Sequence, residues 1–257
     1  MSFRSASPIA FGSFKIGRNE GIKYAEGYDL PDEETAIGLV RDAIALGIRH
    51  IDTAPAYGLA ERRVGLALAG SAVPVTVSTK VGERFEAGRS SYDFSAGATR
   101  SSVARSRDLL GRSRLDLVLV HAHGDDERIL REDGVTGELR RLREEGSVAA
   151  IGFSAKTLGG ALAALDAGYD SLMLEYHPLD ASLRPAFERA ADLNRSVLVK
   201  KALASGRLPP AEAIPFALSA PAVTCVVVGS LRLKHLAECV ALAKTKTGPV
   251  GGRDRLG

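Results

Sequence analysis

The sequence predicts an α/β protein of the (β/α)8 type, in which eight parallel strands close into a cylinder inside a ring of helices. Three observations carry that expectation. Short apolar or β-branched runs alternate with amphipathic helical runs along the chain, and the alternation can be read eight times. The length, 257 residues, matches the roughly 250 that such barrels commonly occupy. No Pro- or Ser-rich linker interrupts the pattern, so residues 1–257 read as one barrel domain. Alternation of this kind demands a parallel sheet covered by helices, and eight repeats in this length favour closure over an open sheet.

Each element has its own signal. The first strand is expected within "SPIAFGSFKIG", and "DEETAIGLVRDAIALG" has helical apolar spacing with a glycine stop at Gly47. "IRHID" reads as a short buried strand and "AERRVGLALAG" as a helix; "VPVTVSTK" and "SAGATRSSVARSRDLLG" repeat the pair. "LDLVLVHAH" with "GELRRLREEG", "SVAAIGFS" with "LGGALAALDAG", and "YDSLMLEY" with "RPAFERAADLN" continue it. "SVLVKKA" with "PAEAIPFALSA", then "VTCVVVGS" with "LRLKHLAECVALA", complete the eight. The polar, glycine-rich tail from about Lys244 is expected to be a loose end.

Composition narrows the function classes. The 34 basic and 31 acidic residues are interspersed, leaving a net charge of +3 and no nucleic-acid footprint. No apolar run approaches the roughly 20 residues of a membrane span, and no secretory signal opens the chain, so a cytoplasmic protein is expected. Cys225 and Cys239 have no metal-ligand spacing and read as free thiols. Aromatics make up 5% of the chain, with no Trp, which favours a small or polar substrate.

Barrel enzymes carry their chemistry at the C-terminal ends of the strands. Those ends hold Asp52, with Tyr57 on the following loop, then Lys80 and His121, then Ser154, Glu175 to His177, Lys200 and Lys201, and finally Gly229-Ser230. The first four form a chemical set. A tyrosine is a poor acid at neutral pH unless its phenolate is stabilised; Lys80 would do so, and Asp52 would hold the ammonium. His121 would hydrogen-bond a carbonyl oxygen and orient it toward Tyr57. His123 points to the same face if the strand persists, but His121 ends the apolar run and is preferred.

With these residues placed, the sequence resembles the aldo-keto reductase family. "IDTAPAYG", "VSTKVG", "RLDLVLVH" and "GSVAAIGFS" carry the resemblance, which continues through "EYHPLD" and "VTCVVVGSLRLKHLAE". It implies an NAD(P)-dependent oxidoreductase that interconverts a carbonyl compound (aldehyde, ketone or aldose) and its alcohol. Asp52, Tyr57, Lys80 and His121 would be the catalytic set, with no metal. Ser154, Lys201, Gly229, Ser230, Arg232 and Glu238 would bind the cofactor. Gly229-Ser230 opens a helix whose amides suit a phosphate, and Arg232 suits an adenosine 2′-phosphate, so NADP(H) is favoured over NAD(H).

The cofactor end also departs from the family. Ala155 stands where asparagine usually follows the serine, Met173 where glutamine is general, and about Lys201 where an aromatic stacks on nicotinamide. His235 and Cys239 replace an arginine and an asparagine of the last helix. Two other readings follow: a nucleotide-binding regulatory protein with little turnover, and a metal-dependent barrel hydrolase built on His121-x-His123 with Asp125 and Asp126.

Overall fold

The computed structural model describes residues 3–22, 27–132 and 134–244. In chain order the first elements are β1 (Ile9–Gly12), α1 (Glu33–Ala45), β2 (His50–Asp52), α2 (Ala60–Leu68) and β3 (Thr76–Val81). A hairpin of β4 (Glu83–Glu86) and β5 (Arg89–Tyr92) precedes α3 (Ala96–Leu110) and β6 (Leu115–His121). Then come α4 (Asp126–Glu132), α5 (Val135–Glu144), β7 (Val148–Ser154), α6 (Leu158–Asp166) and β8 (Ser171–Glu175). The last are α7 (Arg184–Asp192), β9 (Ser196–Lys200), α8 (Pro210–Leu218), β10 (Val223–Val228) and α9 (Leu233–Lys244).

Eight of these strands close a parallel barrel in the order β1-β10-β9-β8-β7-β6-β3-β2, as the alternation predicts. Because strand side chains alternate between faces, each barrel strand feeds two cores. Ala10, Leu117, Leu119, Ala150, Met173, Leu198 and Cys225 fill the interior, with Phe3 packed among them. The alternate residues, among them Phe11, Ile51, Val118, Phe153 and Val199, pack outward with the helices in the larger core. Helix starts are capped as their sequences suggest: Asp32, Ser95 and Thr157 side chains accept from Thr35, Ala98 and Gly160 amides. Cys225 and Cys239 are free and buried.

Three local features differ from the sequence reading. The first strand stops at Gly12, and Ser13–Ile16 forms a 3-10 turn instead of continuing it. Helix α4 precedes α5, and its buried Asp126 accepts from the amides of Lys156 and Thr157. The hairpin turns through Ala87 and Gly88, at φ of 49° and 78°. Tight hairpins need positive φ at both turn positions, and Asn-Gly is the usual signal; Ala-Gly gives little warning. The tail after Lys244 lies outside the described residues, as does any test of its looseness. Among the described residues, no helix is long and apolar enough to cross a membrane.

Candidate active site

A cavity of about 510 Å³ opens among the C-terminal strand ends, lined by Asp52, Tyr57, Lys80, His121 and Ser154 together. Alternation along β2 and β3 aims Asp52 and Lys80 inward; Asp52 is in register with Ser78, and Lys80 lies two residues farther along β3 on the same face. Lys80 Nζ donates to Asp52 Oδ2 (2.7 Å), Asp52 Oδ1 (2.9 Å) and the Thr53 carbonyl (2.8 Å). The Asp52 carboxylate, the Thr53 carbonyl and Tyr57 together engage the ammonium, and both charges are buried. A buried pair is tolerable only with such complete bonding.

Tyr57 ends a 3-10 turn, Pro55–Tyr57, and its ring centre lies 4.7 Å from Lys80 Nζ. The turn is held close against Gly17, whose carbonyl accepts from the Leu59 amide. Phe14 and His121 meet the Tyr57 ring edge-on at 5.1 and 6.1 Å. Burial pushes the phenol pKa above its ordinary value; Lys80 pulls it down and Asp52 pushes it up. The ammonium therefore acts in the expected direction, but burial outweighs it and the phenol stays protonated. Burial alone would lower the Lys80 pKa, yet Asp52 and Tyr57 more than offset it, and the net shift is upward.

His121 closes β6 and faces the cavity, paired in register with Ser154 on β7. Its Nδ1 lies 2.8 Å from Glu83 Oε2, at the start of the hairpin. Burial works against the Glu83 charge, but His121, Ser90 and Arg18 hold its pKa down at about 2. An anionic carboxylate only accepts, so Nδ1 carries hydrogen toward it, off the ideal hydrogen-bond direction, and Nε2 is left for the cavity. Burial lowers the His121 pKa, Glu83 opposes that, and Lys80 and Lys200 add to it. Glu83 escaped the sequence reading because the hairpin that delivers it did. His123 also reaches the cavity wall, but its ring packs on Tyr92 and Phe94 at 4.6 and 5.7 Å. The two histidines thus serve different surroundings, and no group of three or more metal-ligating side chains is assembled among the described residues.

At the opposite wall, Ser154, Lys201, Gly229 and Ser230 line the cavity, as do Met173 and His235. Arg232 and Glu238 are exposed on the α9 side, outside that lining. Lys201 turns outward at φ 53° and pairs with Glu175. The inward residue is Lys200, whose Nζ donates to Ser154 Oγ (2.8 Å) and the Ala155 carbonyl (3.1 Å). Burial, reinforced by Lys156, Lys201 and Lys80, holds its pKa well below the ordinary lysine value. Alternation from interior Leu198 would have selected Lys200 over Lys201.

Comparisons with known proteins bear on the fold and the family. The Aldo/keto reductase family pattern matches residues 8–213. L-galactose dehydrogenase of Arabidopsis thaliana is 36% identical over 132 residues, which are 48% of this chain and 39% of that protein. D-threo-aldose 1-dehydrogenase of a Pseudomonas species is 34% identical over 146 residues, 48% of this chain and 44% of that one. The matched segments thus span less than half of these curated relatives. A solved Pseudomonas aeruginosa chain described as an aldo-keto reductase superposes with a TM-score of 0.85 at 40% identity, covering 93% of this chain and 90% of its own. The holo form of a Bacillus halodurans aldo-keto reductase, at 23% identity and a TM-score of 0.80, shares the fold over 96% of this chain and 91% of its own. A family pattern across most of the chain, on a barrel of the matching kind, settles the affiliation: this chain belongs to the aldo/keto reductase family.

Proposed function

We propose that the protein is an NAD(P)-dependent oxidoreductase that interconverts a small, polar carbonyl compound and its alcohol, with Tyr57 as general acid and base. The observation that carries this reading is the buried Asp52–Lys80 pair beneath the Tyr57 ring, facing a cavity that His121 also enters. A carbonyl oxygen between Tyr57 and His121 would accept from the Tyr57 hydroxyl and, when the imidazole is protonated, from His121 Nε2, since Nδ1 already carries hydrogen toward Glu83. As the carbon is reduced, the oxygen takes the Tyr57 proton, and Lys80 stabilises the phenolate left behind. Asp52 keeps Lys80 in place and balances its charge. In the oxidation direction the same groups remove the alcohol proton.

Bound nicotinamide nucleotide supplies or accepts the hydride. The donor set on the far wall fits such a ligand: Ser154 and Lys200 at the cavity floor, and Gly229-Ser230 at the foot of α9. Helix N-terminal amides and cationic side chains suit a diphosphate. Arg232, exposed beside the first turn of α9, would reach an adenosine 2′-phosphate and favours NADP(H) over NAD(H). Two dehydrogenases of sugars among the relatives, and Arg18, Glu83 and Ser90 in the lining, support a hydroxyl-bearing substrate.

Tyr57→Phe tests the reading, with DL-glyceraldehyde and NADPH as probes. The rate falls by about 10² to 10⁴, the usual contribution of a general acid, while nucleotide affinity by fluorescence titration stays unchanged. Retention of more than about a tenth of the wild-type kcat overturns it. Nucleotide binding by the wild type without turnover of any carbonyl or alcohol would support the regulatory alternative.

A further inference from the structure

Below Asp52, the barrel interior holds polar side chains that the proposed chemistry leaves idle. His50 shares a face of β2 with Asp52, and Ser78 shares a face of β3 with Lys80, so all four point inward. Ser78 Oγ donates to Asp52 Oδ1 at 2.8 Å, and His50 Nε2 lies 3.0 Å from Ser78 Oγ. The other ring nitrogen, Nδ1, lies 3.1 Å from Ser5 Oγ and 3.8 Å from Cys225 Sγ. His50 and Ser78 are fully enclosed; Ser5, just ahead of β1, is half-buried.

Ser5 Oγ donates to the Ser7 carbonyl at 2.7 Å, and from His50 to Asp52 the hydrogens have one consistent arrangement. Asp52 only accepts, so the single Ser78 hydrogen faces it. Ser78 can then only accept from His50, which puts the ring hydrogen on Nε2. Nδ1 is left as an acceptor that faces the Cys225 thiol and, once its hydroxyl rotates away from the Ser7 carbonyl, Ser5. From His50 inward, each donor points toward Asp52. Burial, with Lys80 assisting and Asp52 opposing, brings the His50 pKa to about 4, so the ring is neutral at physiological pH. Asp52 is already satisfied by Ser78 and Lys80, and an apolar residue at position 50 would suit the surrounding interior. What imidazole adds is a group that accepts on one side while donating on the other.

We propose that Ser5, His50 and Ser78 form a proton wire that resupplies the Asp52–Lys80–Tyr57 set from the N-terminal face of the barrel. The proposal rests on the reading of Tyr57 as general acid. After Tyr57 has given up its proton, a Lys80 N–H passes to the phenolate and Asp52 returns a proton to the amine. Ser78 O–H protonates Asp52, His50 Nε2–H protonates Ser78 Oγ, and Ser5 O–H, rotated from the Ser7 carbonyl to Nδ1, protonates His50. Solvent restores the Ser5 hydrogen. One proton enters, one is delivered, and every intermediate group recovers its starting charge. Resetting requires the hydroxyls to rotate and the ring hydrogen of His50 to return to Nε2.

His50→Gln separates conduction from anchoring, because an amide keeps a donor and an acceptor but does not relay a proton. With NADPH and DL-glyceraldehyde, the first turnover by excess enzyme runs at the wild-type rate, since Tyr57 starts protonated. Repeated turnover slows by about tenfold or more, with unchanged nucleotide affinity, short of the roughly 10² to 10⁴ lost with the acid itself. His50→Ala shows the same loss; imidazole restores it and 1-methylimidazole, which cannot pass a proton between its nitrogens, does not. Wild-type kcat in His50→Gln overturns the proposal, as does equal rescue by both imidazoles or an equal loss in the first turnover. Should His50→Ala fail to fold, His50→Gln decides. Tyr57→Phe loses the first turnover as well, so failure of the acid reading is seen separately.

Discussion

Gly17→Ala places one methyl group where the structure has no room for it. A Cβ at this position would lie 2.0 Å from the Tyr57 carbonyl oxygen, 2.4 Å from the Ala60 nitrogen and 2.6 Å from the Ala60 Cβ. Two of these are backbone atoms, so no side-chain rotation relieves them. To reach an ordinary contact of 3.4 Å, the Tyr57 turn must retreat by about 1.4 Å. Overpacking of this kind costs about 1 to 3 kcal/mol, which for a chain of this size lowers Tm by roughly 2 to 12 °C. The larger effect falls on catalysis. A displacement of about 1 Å in a reacting group costs on the order of 100-fold, and the turn that moves carries the proposed proton donor. The expected outcome is a kcat/KM for carbonyl reduction lowered about 100-fold in a folded protein, with nucleotide affinity nearly unchanged because the cofactor wall is opposite. Circular dichroism and thermal melting establish the fold; steady-state kinetics read the turn. A folded Gly17→Ala protein with kcat/KM within about a factor of two of wild type would refute the claim that close packing on Gly17 sets the Tyr57 position.

Three further outcomes follow from charged side chains. Glu83→Gln removes the carboxylate that holds the His121 pKa up against burial, so the high-pH limb of carbonyl reduction moves to lower pH; an unshifted profile contradicts the pairing. The stabilisation that Glu83 contributes is present above its ordinary value of 4.5 and is lost as pH falls through about 2, so acid unfolding of Glu83→Gln loses that increment of pH dependence. Arg232→Ala weakens NADPH binding by about tenfold and leaves NADH unchanged if the guanidinium meets the 2′-phosphate. Equal losses for both nucleotides would place it on the diphosphate instead.

The barrel was legible because its two periodicities are strong: alternating faces in the strands and helical stripes between them. Strand-end positions then followed by counting, which brought Asp52, Lys80 and His121 to one cavity. Less legible were features whose signal lies in a partner rather than a period. Ala87-Gly88 adopts a turn that its residue types do not announce, so β4, β5 and Glu83 were missed. Lys200 and Lys201 are adjacent and chemically alike, and only the inward phase of Leu198 distinguishes them. His50 and Ser78 were readable as inward residues by the same count. Their mutual hydrogen bond was not, since a face assignment says nothing about which neighbouring strand answers it.

The hairpin β4–β5 contributes no strand to the barrel, yet its first residue sits against His121. The barrel and the carboxylate beside His121 are therefore supplied by different parts of the chain. The eight-stranded cylinder fixes where Asp52, Lys80 and His121 stand, while a hairpin outside it sets the charge that His121 feels. A designer wishing to move the His121 pKa has a local handle: Glu83 can be exchanged on the hairpin while the cylinder and its core are left untouched.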